Sequence, residues 1–362
     1  MITKPIATED LVEVLDTARA AFEALRGARL FITGGTGFFG HWLLETLLYA
    51  NQALGLHVEA TVLTRNASRF AERSPHIACD PAIQLLEGDI RSFAFPSAPH
   101  DFILHAATDS GGQQSVRPAF ELAESILAGT QHVLRFAQAT GARRLLFTST
   151  GAVYGRSTTL RHTPETYTGG PDPLQLASSY DEAKRMAEHL CVAYAHGTPL
   201  QPVVARCFAF VGPHLPLNAH FAIGNFIGAA IRGETLHIKG DGTPRRSWLY
   251  MSDLAAWLWI LLVRGEPNRA YNVGSDEGYT ISEAAQLAAV TLRPAGRGGS
   301  TLQVQIDGRP APGAPLNSYV PAIGRVQQEL ALRVSVPLAE ALRRTAAWHG
   351  FTPQVDREPG PS

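Results

Sequence analysis

Cysteine is scarce in this chain and arranged for nothing. The three present, Cys79, Cys191 and Cys207, are odd in number and have no metal-ligand spacing. That excludes a disulfide framework and a cysteine-based metal centre, and reads as reduced thiols in a reducing compartment. Charge of one sign is also lacking: 31 Lys and Arg stand against 32 Asp and Glu, for a net charge of −1. No global field therefore draws the chain to nucleic acid or to an anionic membrane. No run approaches the roughly 18 apolar residues of a membrane span. The first residues carry Glu9, Asp10 and Glu13 and no apolar segment of the signal-peptide kind. The expectation is a soluble cytoplasmic protein with no nucleic-acid partner, no membrane partner and no metal. Internal repeats and low-complexity blocks are missing as well.

What is present is a chain of 362 residues, 45% hydrophobic, able to bury a large core. Its organising stretch is Arg29 to Gly40, RLFITGGTGFFG. Leu30 to Thr33 has the length of a buried strand, and Trp42, Leu43, Leu44, Leu47 and Leu48 recur at helical spacing. Between them lie Gly34, Gly35, Gly37 and Gly40. Strand, glycine turn and helix in that order predict a dinucleotide site. Glycine permits the tight turn, lets backbone approach a pyrophosphate, and lets the helix pack on the strand. The helix start offers free N–H groups to the phosphates.

Residues 8–26 have amphipathic helical spacing and predict a packing helix within an N-terminal segment, 1–27. A second strand, 57–63, ends at Thr64-Arg65-Asn66. An acid there would bond the ribose of NAD, and an arginine would accommodate the 2′-phosphate of NADP. The acid is missing and Arg65 is present, so the cofactor is NAD or NADP with a tilt to NADP; Arg65 reads equally as a solvated loop residue. Strands follow at 83–86, 102–104 and 144–147, with a helix at 119–139. The strand at 102–104 ends on His105-Ala106-Ala107-Thr108, small enough to admit a cofactor. Alternation of this kind predicts an α/β, doubly wound parallel sheet of Rossmann type over 28–213. From 214 to 351 the composition shifts, and a smaller α/β substrate-binding region is expected. It holds helices at 222–231, 252–264, 281–292 and 337–348. The Gly/Pro-rich stretch 294–318 is too long for a connector and reads as functional or mobile. The polar tail 352–362 is expected to be disordered.

Three residues are placed to converge at the sheet edge: Thr150 at a strand end, and Tyr180 and Lys184 one helical turn apart. A phenol with an ordinary pKa near 10 is a poor base at neutral pH. A lysine one turn away, with a cationic nicotinamide, favours the phenolate. Thr150 can hold the substrate oxygen while Tyr180 removes a hydroxyl proton. This is a device for oxidising an alcohol. It argues against a catalytically silent dinucleotide-binding sensor.

With these pieces in order, the chain resembles the extended short-chain dehydrogenase/reductases of the NAD-dependent sugar-nucleotide epimerase/dehydratase family. The matching segments are Thr33-Gly34-Gly35-Thr36-Gly37-Phe38-Phe39-Gly40, Gly88-Asp89-Ile90, His105-Ala106-Ala107, Thr148 to Gly155, Tyr180 to Lys184, Val211-Gly212-Pro213, Gly240 to Trp248, and Tyr271 to Gly274. The resemblance implies that Gly34, Thr36, Gly37, Phe38, Phe39 and Gly40 form the pyrophosphate turn. It implies that Asp89 and Ile90 flank the adenine, and that Thr64, Arg65, Ala106, Ala107, Tyr180 and Lys184 complete the cofactor site. Thr150, Tyr180 and Lys184 would be catalytic. Thr108, Thr150, Asn225 and Arg246 would bind a nucleotide-sugar, Arg246 through its diphosphate.

Departures narrow the reaction. The family's 4,6-dehydratases usually carry an Asp-Glu pair after the threonine, and its decarboxylases a Glu at the second position; here stand Gly151 and Ala152. Ala209 and Ile126 replace two asparagines usual in the family. The expectation is a nucleotide-sugar epimerase acting at C4 through a transient keto-sugar, with dehydratase, decarboxylase or keto-sugar reductase as alternatives. A homodimer is also expected. Helices 119–139 and 179–196 would pair across a two-fold axis through Leu122, Ile126, Val133, Leu134, Met186, Leu190 and Ala193, although burial inside one subunit explains the same pattern.

Overall fold

The computed structural model describes residues 2–107, 118–219, 221–293 and 302–352. In chain order, helix α1 (Thr8–Ala24) leads into strand β1 (Arg29–Thr33), helix α2 (Phe38–Leu54) and strand β2 (Glu59–Thr64). The short helices α3 (Ala67–Arg73) and α4 (Pro75–Ala78) precede β3 (Ile83–Glu87) and β4 (Phe102–His105). Helix α5 (Ala119–Thr140), strand β5 (Arg144–Thr150), helix α6 (Ser179–Ala195) and strand β6 (Gln201–Cys207) follow. Next come β7 (Phe210–Val211), α7 (Ala222–Arg232), β8 (Leu236–Ile238), β9 (Arg245–Arg246) and β10 (Leu249–Tyr250). Then α8 (Met251–Arg264), β11 (Arg269–Val273), β12 (Tyr279–Thr280) and α9 (Ile281–Thr291). The chain closes with β13 (Val304–Ile306), β14 (Ser318–Tyr319), α10 (Gly324–Leu330) and α11 (Leu338–Trp348).

Seven strands form one sheet in the order β11-β6-β5-β4-β1-β2-β3, every neighbouring pair parallel. The winding direction reverses between β1 and β4, and ligands bind in the crevice beyond the strand ends at such a point. Covered on both faces, the strands read as continuous apolar runs: Leu30, Phe31 and Ile32 are all fully buried. Helix α2 starts directly at Gly37 and ends on Gly55 in the left-handed conformation.

Helix α1 packs rather than solvates. Val14, Ala18 and Phe22 are buried, and the Phe22 ring meets Trp259 of α8 at 5.4 Å. Its polar side is tied down by Arg344 of α11. The guanidinium reaches Asp10 at 2.9 Å and Glu13 at 2.7 Å, and Tyr250 donates to Asp10 at 2.8 Å. Buried carboxylates need such partners.

The region beyond 213 does not keep to itself. Helix α8, buried along almost its whole length, packs on β5 and β6, and β11 completes the sheet. The remainder forms small sheets: β8 pairs with β13, and β9 lies between β12 and β14. The stretch expected to be functional or mobile thus contains strand β13 and ends at the first residue of β14; residues 294–301 lie outside the described residues, as does the tail from 353. Among the described residues no helix is long and apolar enough to cross a membrane.

The expected subunit face is partly core. Ile126, Val133 and Leu134 of α5 are buried against the sheet with α6 beside them. Leu122 and Leu190 are partly buried; Met186, Val192 and Ala193 are exposed. Two helices laid side by side on a sheet must give their inner faces to it.

Candidate active site

The glycine turn divides its labour by position. Gly34 has φ +75°, and a Cβ there would lie 2.5 Å from the Ala106 carbonyl oxygen. A Cβ on Gly40 would overlap the Gly35 carbonyl. Both glycines are required by the fold itself. Gly37 differs: the only heavy atom near its missing Cβ is the Gly34 oxygen at 3.4 Å, and the residue is exposed. Open space at the first turn of a 17-residue helix is where a pyrophosphate fits. Phe38 and Phe39 are half-buried, Phe39 edge-on to Phe210 at 5.1 Å.

Thr33 stitches this turn to β4. Its hydroxyl accepts the Ala107 N–H at 3.0 Å and bonds His105 Nδ1 at 2.8 Å. His105 reaches Thr130 through its other nitrogen at 3.1 Å. Burial, with Lys184 nearby, pushes its pKa down to about 3, so the ring is neutral. Ala106 and Ala107 follow directly on β4, beside the glycine turn. Thr108 lies outside the described residues.

At the close of β2, Thr64 is buried and Arg65 exposed. Asp89 is bridged by Arg91 through two bonds of 2.8 and 3.0 Å. Ile90 packs on α5, where its side chain leaves Gly129 no room for a Cβ.

Strand β5 runs to Thr150 and delivers it to the same edge. The Thr150 hydroxyl accepts the Ala152 N–H at 3.2 Å and bonds the phenol of Tyr319 at 3.2 Å. Helix α6 presents Tyr180 and, one turn on, Lys184. The Lys184 ammonium is buried, donates to the Thr148 carbonyl at 2.8 Å and lies 4.7 Å from the Phe147 ring centre. Burial pushes its pKa down to about 8.

The expectation for the phenolate joins the lysine with a nicotinamide; from the protein groups alone the shift runs the other way. The Tyr180 pKa is raised, chiefly by burial and then by Tyr319, Cys207 and Asp181, with only Thr150 acting against them. Desolvation outweighs the lysine, which spends its hydrogen bond on backbone. Asp181 is itself pushed up to about 6 by burial and by Glu182.

Arg246 enters from β9. It is half-buried, bonds Asn317 at 3.3 Å and lies over the Tyr319 ring at 5.9 Å. Among the described residues it pairs with no carboxylate. Asn225 is exposed on α7 and makes no hydrogen bond to the other candidates.

Two residues here were missed in the sequence. Tyr319 stands 139 positions after Tyr180 and reaches Thr150 only because β14 pairs with β9. Phe208 covers Gly151: a Cβ on that glycine would lie 2.6 Å from the Phe208 ring, and the same ring meets Tyr319 at 4.7 Å. The Tyr319 segment is held firmly. Thr163 N–H donates to Val320 at 2.9 Å, and the Asn272 amide donates to Thr163 and Ala322 at 2.8 and 3.0 Å. Asn272 in turn accepts the Tyr154 hydroxyl at 2.7 Å.

The chain is 30% identical over 270 residues to UDP-glucuronic acid decarboxylase 2 of Arabidopsis thaliana; the match takes in 74% of this chain but only 58% of that protein. A solved structure of the dTDP-glucose 4,6-dehydratase DesIV of Streptomyces venezuelae, a double mutant with NAD bound, superposes with TM-score 0.73 at 26% identity, covering 89% of this chain and 97% of that one. The UDP-glucose 4-epimerase of Thermus thermophilus in complex with NAD gives TM-score 0.69 at 25% identity, covering 89% and 99%. The profile described as the NAD dependent epimerase/dehydratase family matches residues 30–274. By that match, and by the sheet order, the glycine turn and the threonine–tyrosine–lysine edge, the chain belongs to the NAD-dependent epimerase/dehydratase family.

Proposed function

We propose that the protein is a nucleotide-sugar epimerase acting at C4 through a transient keto-sugar. The observation that carries this is the convergence of Thr150, Tyr180 and Lys184 on one sheet edge with no acid at 151 or 152 after the threonine. Residues 151 and 152 are Gly and Ala, and Phe208 fills the space a longer side chain at 151 would need. Elimination of water needs a second proton-transfer group there; epimerisation does not.

The residues fit a dinucleotide. The free space at Gly37 faces the pyrophosphate, the first turn of α2 supplies N–H donors, and Asp89 and Ile90 flank the adenine. Arg65 can meet a 2′-phosphate, but both DesIV and the Thermus epimerase were solved with NAD, and NAD is the reading adopted over NADP. When bound, the dinucleotide supplies the hydride acceptor and donor and a positive charge beside Tyr180. The chain does the rest. Tyr180 Oη, as phenolate, takes the proton of the sugar hydroxyl as the C4–H bond breaks. Thr150 holds the substrate oxygen, Lys184 fixes the cofactor side of the pocket, and Arg246 receives the nucleotide diphosphate, with Asn225 and Thr108 as further contacts to the nucleotide sugar. The ketone turns over, hydride returns to its other face, and Tyr180 gives the proton back.

The test is a panel of UDP-, GDP-, dTDP- and CDP-sugars with the NAD-loaded protein. Epimer should form without net change in reduced dinucleotide; accumulating NADH overturns the reading. Likeness to UDP-glucuronic acid decarboxylases favours a second reading, loss of carbon dioxide from an oxidised uronic acid, which mass spectrometry distinguishes by the mass lost. Loss of water would mark a dehydratase, and net consumption of NADH a keto-sugar reductase.

We also propose a cytoplasmic homodimer, with the exposed Met186, Val192 and Ala193 of α6 and the partly buried Leu122 and Leu190 meeting a second copy.

A further inference from the structure

We infer that Tyr319 is a positioning residue for the reaction, acting through Thr150: its phenol aims the threonine hydroxyl at whichever oxygen carries negative charge in the site. The inference rests on the alcohol-oxidising role proposed for Tyr180.

Hydrogen-bond accounting at Thr150 leads to it. A threonine hydroxyl has one proton and two acceptor lone pairs. One lone pair takes the Ala152 N–H at 3.2 Å. The proton and the other lone pair remain, and Tyr319 at 3.2 Å engages one of them. In one arrangement Thr150 donates to Tyr319, Tyr319 donates to the Cys207 carbonyl 3.5 Å from its oxygen, and the second lone pair of Thr150 is left to accept from a neutral hydroxyl in the site. In the other, Tyr319 donates to Thr150, and the Thr150 proton is left to point at an oxygen carrying negative charge. The two interconvert by rotation of the Thr150 and Tyr319 hydroxyl protons, with no proton exchanged between those two residues. Chained donors polarise one another and strengthen the bond at the charged end.

The geometry around Tyr319 keeps it on this task. Its ring packs on Phe208 at 4.7 Å and under the Arg246 guanidinium at 5.9 Å. Phe208 can take that place because residue 151 is glycine. The loss of a side chain at 151 and the presence of a phenol at Thr150 are therefore one packing solution.

The test pairs kinetics with a structure. Tyr319→Phe keeps the ring and its packing and removes only the hydroxyl. With the productive nucleotide sugar, kcat should fall about tenfold while KM stays within about twofold, as expected when a charge-stabilising hydrogen bond of roughly 1.4 kcal/mol is lost. Thr150→Ala combined with Tyr319→Phe should lose no more than Thr150→Ala alone. An unchanged kcat in Tyr319→Phe overturns the inference, and so do losses that multiply in the double variant. Separately, a crystal of the NAD-loaded protein with UDP should keep Tyr319 Oη within about 3.3 Å of Thr150 Oγ1; a phenol swung away overturns it without reference to turnover. If the geometry holds but no nucleotide sugar is converted, the epimerase reading fails and the hydroxyl chain stands.

Discussion

Lys184 Nζ lies 2.8 Å from the Thr148 carbonyl oxygen, and this backbone acceptor is the one hydrogen-bond partner the buried ammonium has among the described residues. A charge held with so little compensation costs stability. Its pKa falls from 10.5 to about 8, so at neutral pH the folded state binds the proton more weakly than the unfolded one. Stability tied to this group therefore rises as pH climbs from about 8 toward 10.5. Lys184→Met should lose about 10²- to 10⁴-fold in kcat yet melt no lower than the parent at pH 7. The parent should close the gap above pH 8. Melting curves across that range check it; a variant that melts well below the parent at pH 7 contradicts the assignment.

The glycine turn offers a separation of fold from function. Gly34→Ala and Gly40→Ala should each cost more than about 2 kcal/mol or prevent folding, because the new Cβ meets backbone that cannot move. Gly37→Ala should fold with a melting temperature near the parent's and bind NAD at least about tenfold more weakly, since only the ligand's space is taken. Calorimetric titration of NAD, alongside thermal unfolding, tells the two classes apart.

Gly151→Ala should be destabilised by about 1–3 kcal/mol through collision with Phe208. Adding Phe208→Ala should remove most of the collision term, so that the pair is far from additive. Chemical denaturation of the three variants measures this. Additive losses would mean that the ring is not what excludes a side chain at 151.

If α6 meets its counterpart in a second subunit, Met186→Glu should convert a dimer to a monomer by light scattering. A parent protein already monomeric at micromolar concentration refutes the dimer.

Arg344→Met should lower stability by about 1–3 kcal/mol because Asp10 is left with Tyr250 and Glu13 loses its guanidinium, and leave kcat unchanged where the protein remains folded. Urea titration and turnover at low temperature test both halves.

Much of this was legible beforehand because the information is local. The Rossmann half repeats strand, turn and helix at short range, and each glycine or small residue at a strand end announces what its own backbone needs. Tyr180 and Lys184 sit one helical turn apart, which sequence spacing reports directly. What was hidden depends on long-range pairing. The return of α8 and β11 to the sheet, Tyr319 against Thr150, and Phe208 over Gly151 join positions distant in the chain, and nothing in either partner signals the other. The burial that raises the Tyr180 pKa was hidden for a related reason: spacing reveals a neighbouring charge, whereas burial depends on everything packed around it. The α5 face was divided between core and surface by the same kind of unseen neighbour.

Asn272 gathers three segments on one side chain: it accepts from Tyr154 and donates to the chain at Thr163 and at Ala322. Since Tyr319 lies three residues before Ala322, the wall of the pocket is already assembled when a sugar arrives. Little ordering entropy is then left for the ligand to offset in that wall, and closure there is not a step in turnover. The amide protons of Thr163 and Ala322 should accordingly exchange slowly with solvent, at rates that scarcely change when a nucleotide sugar binds.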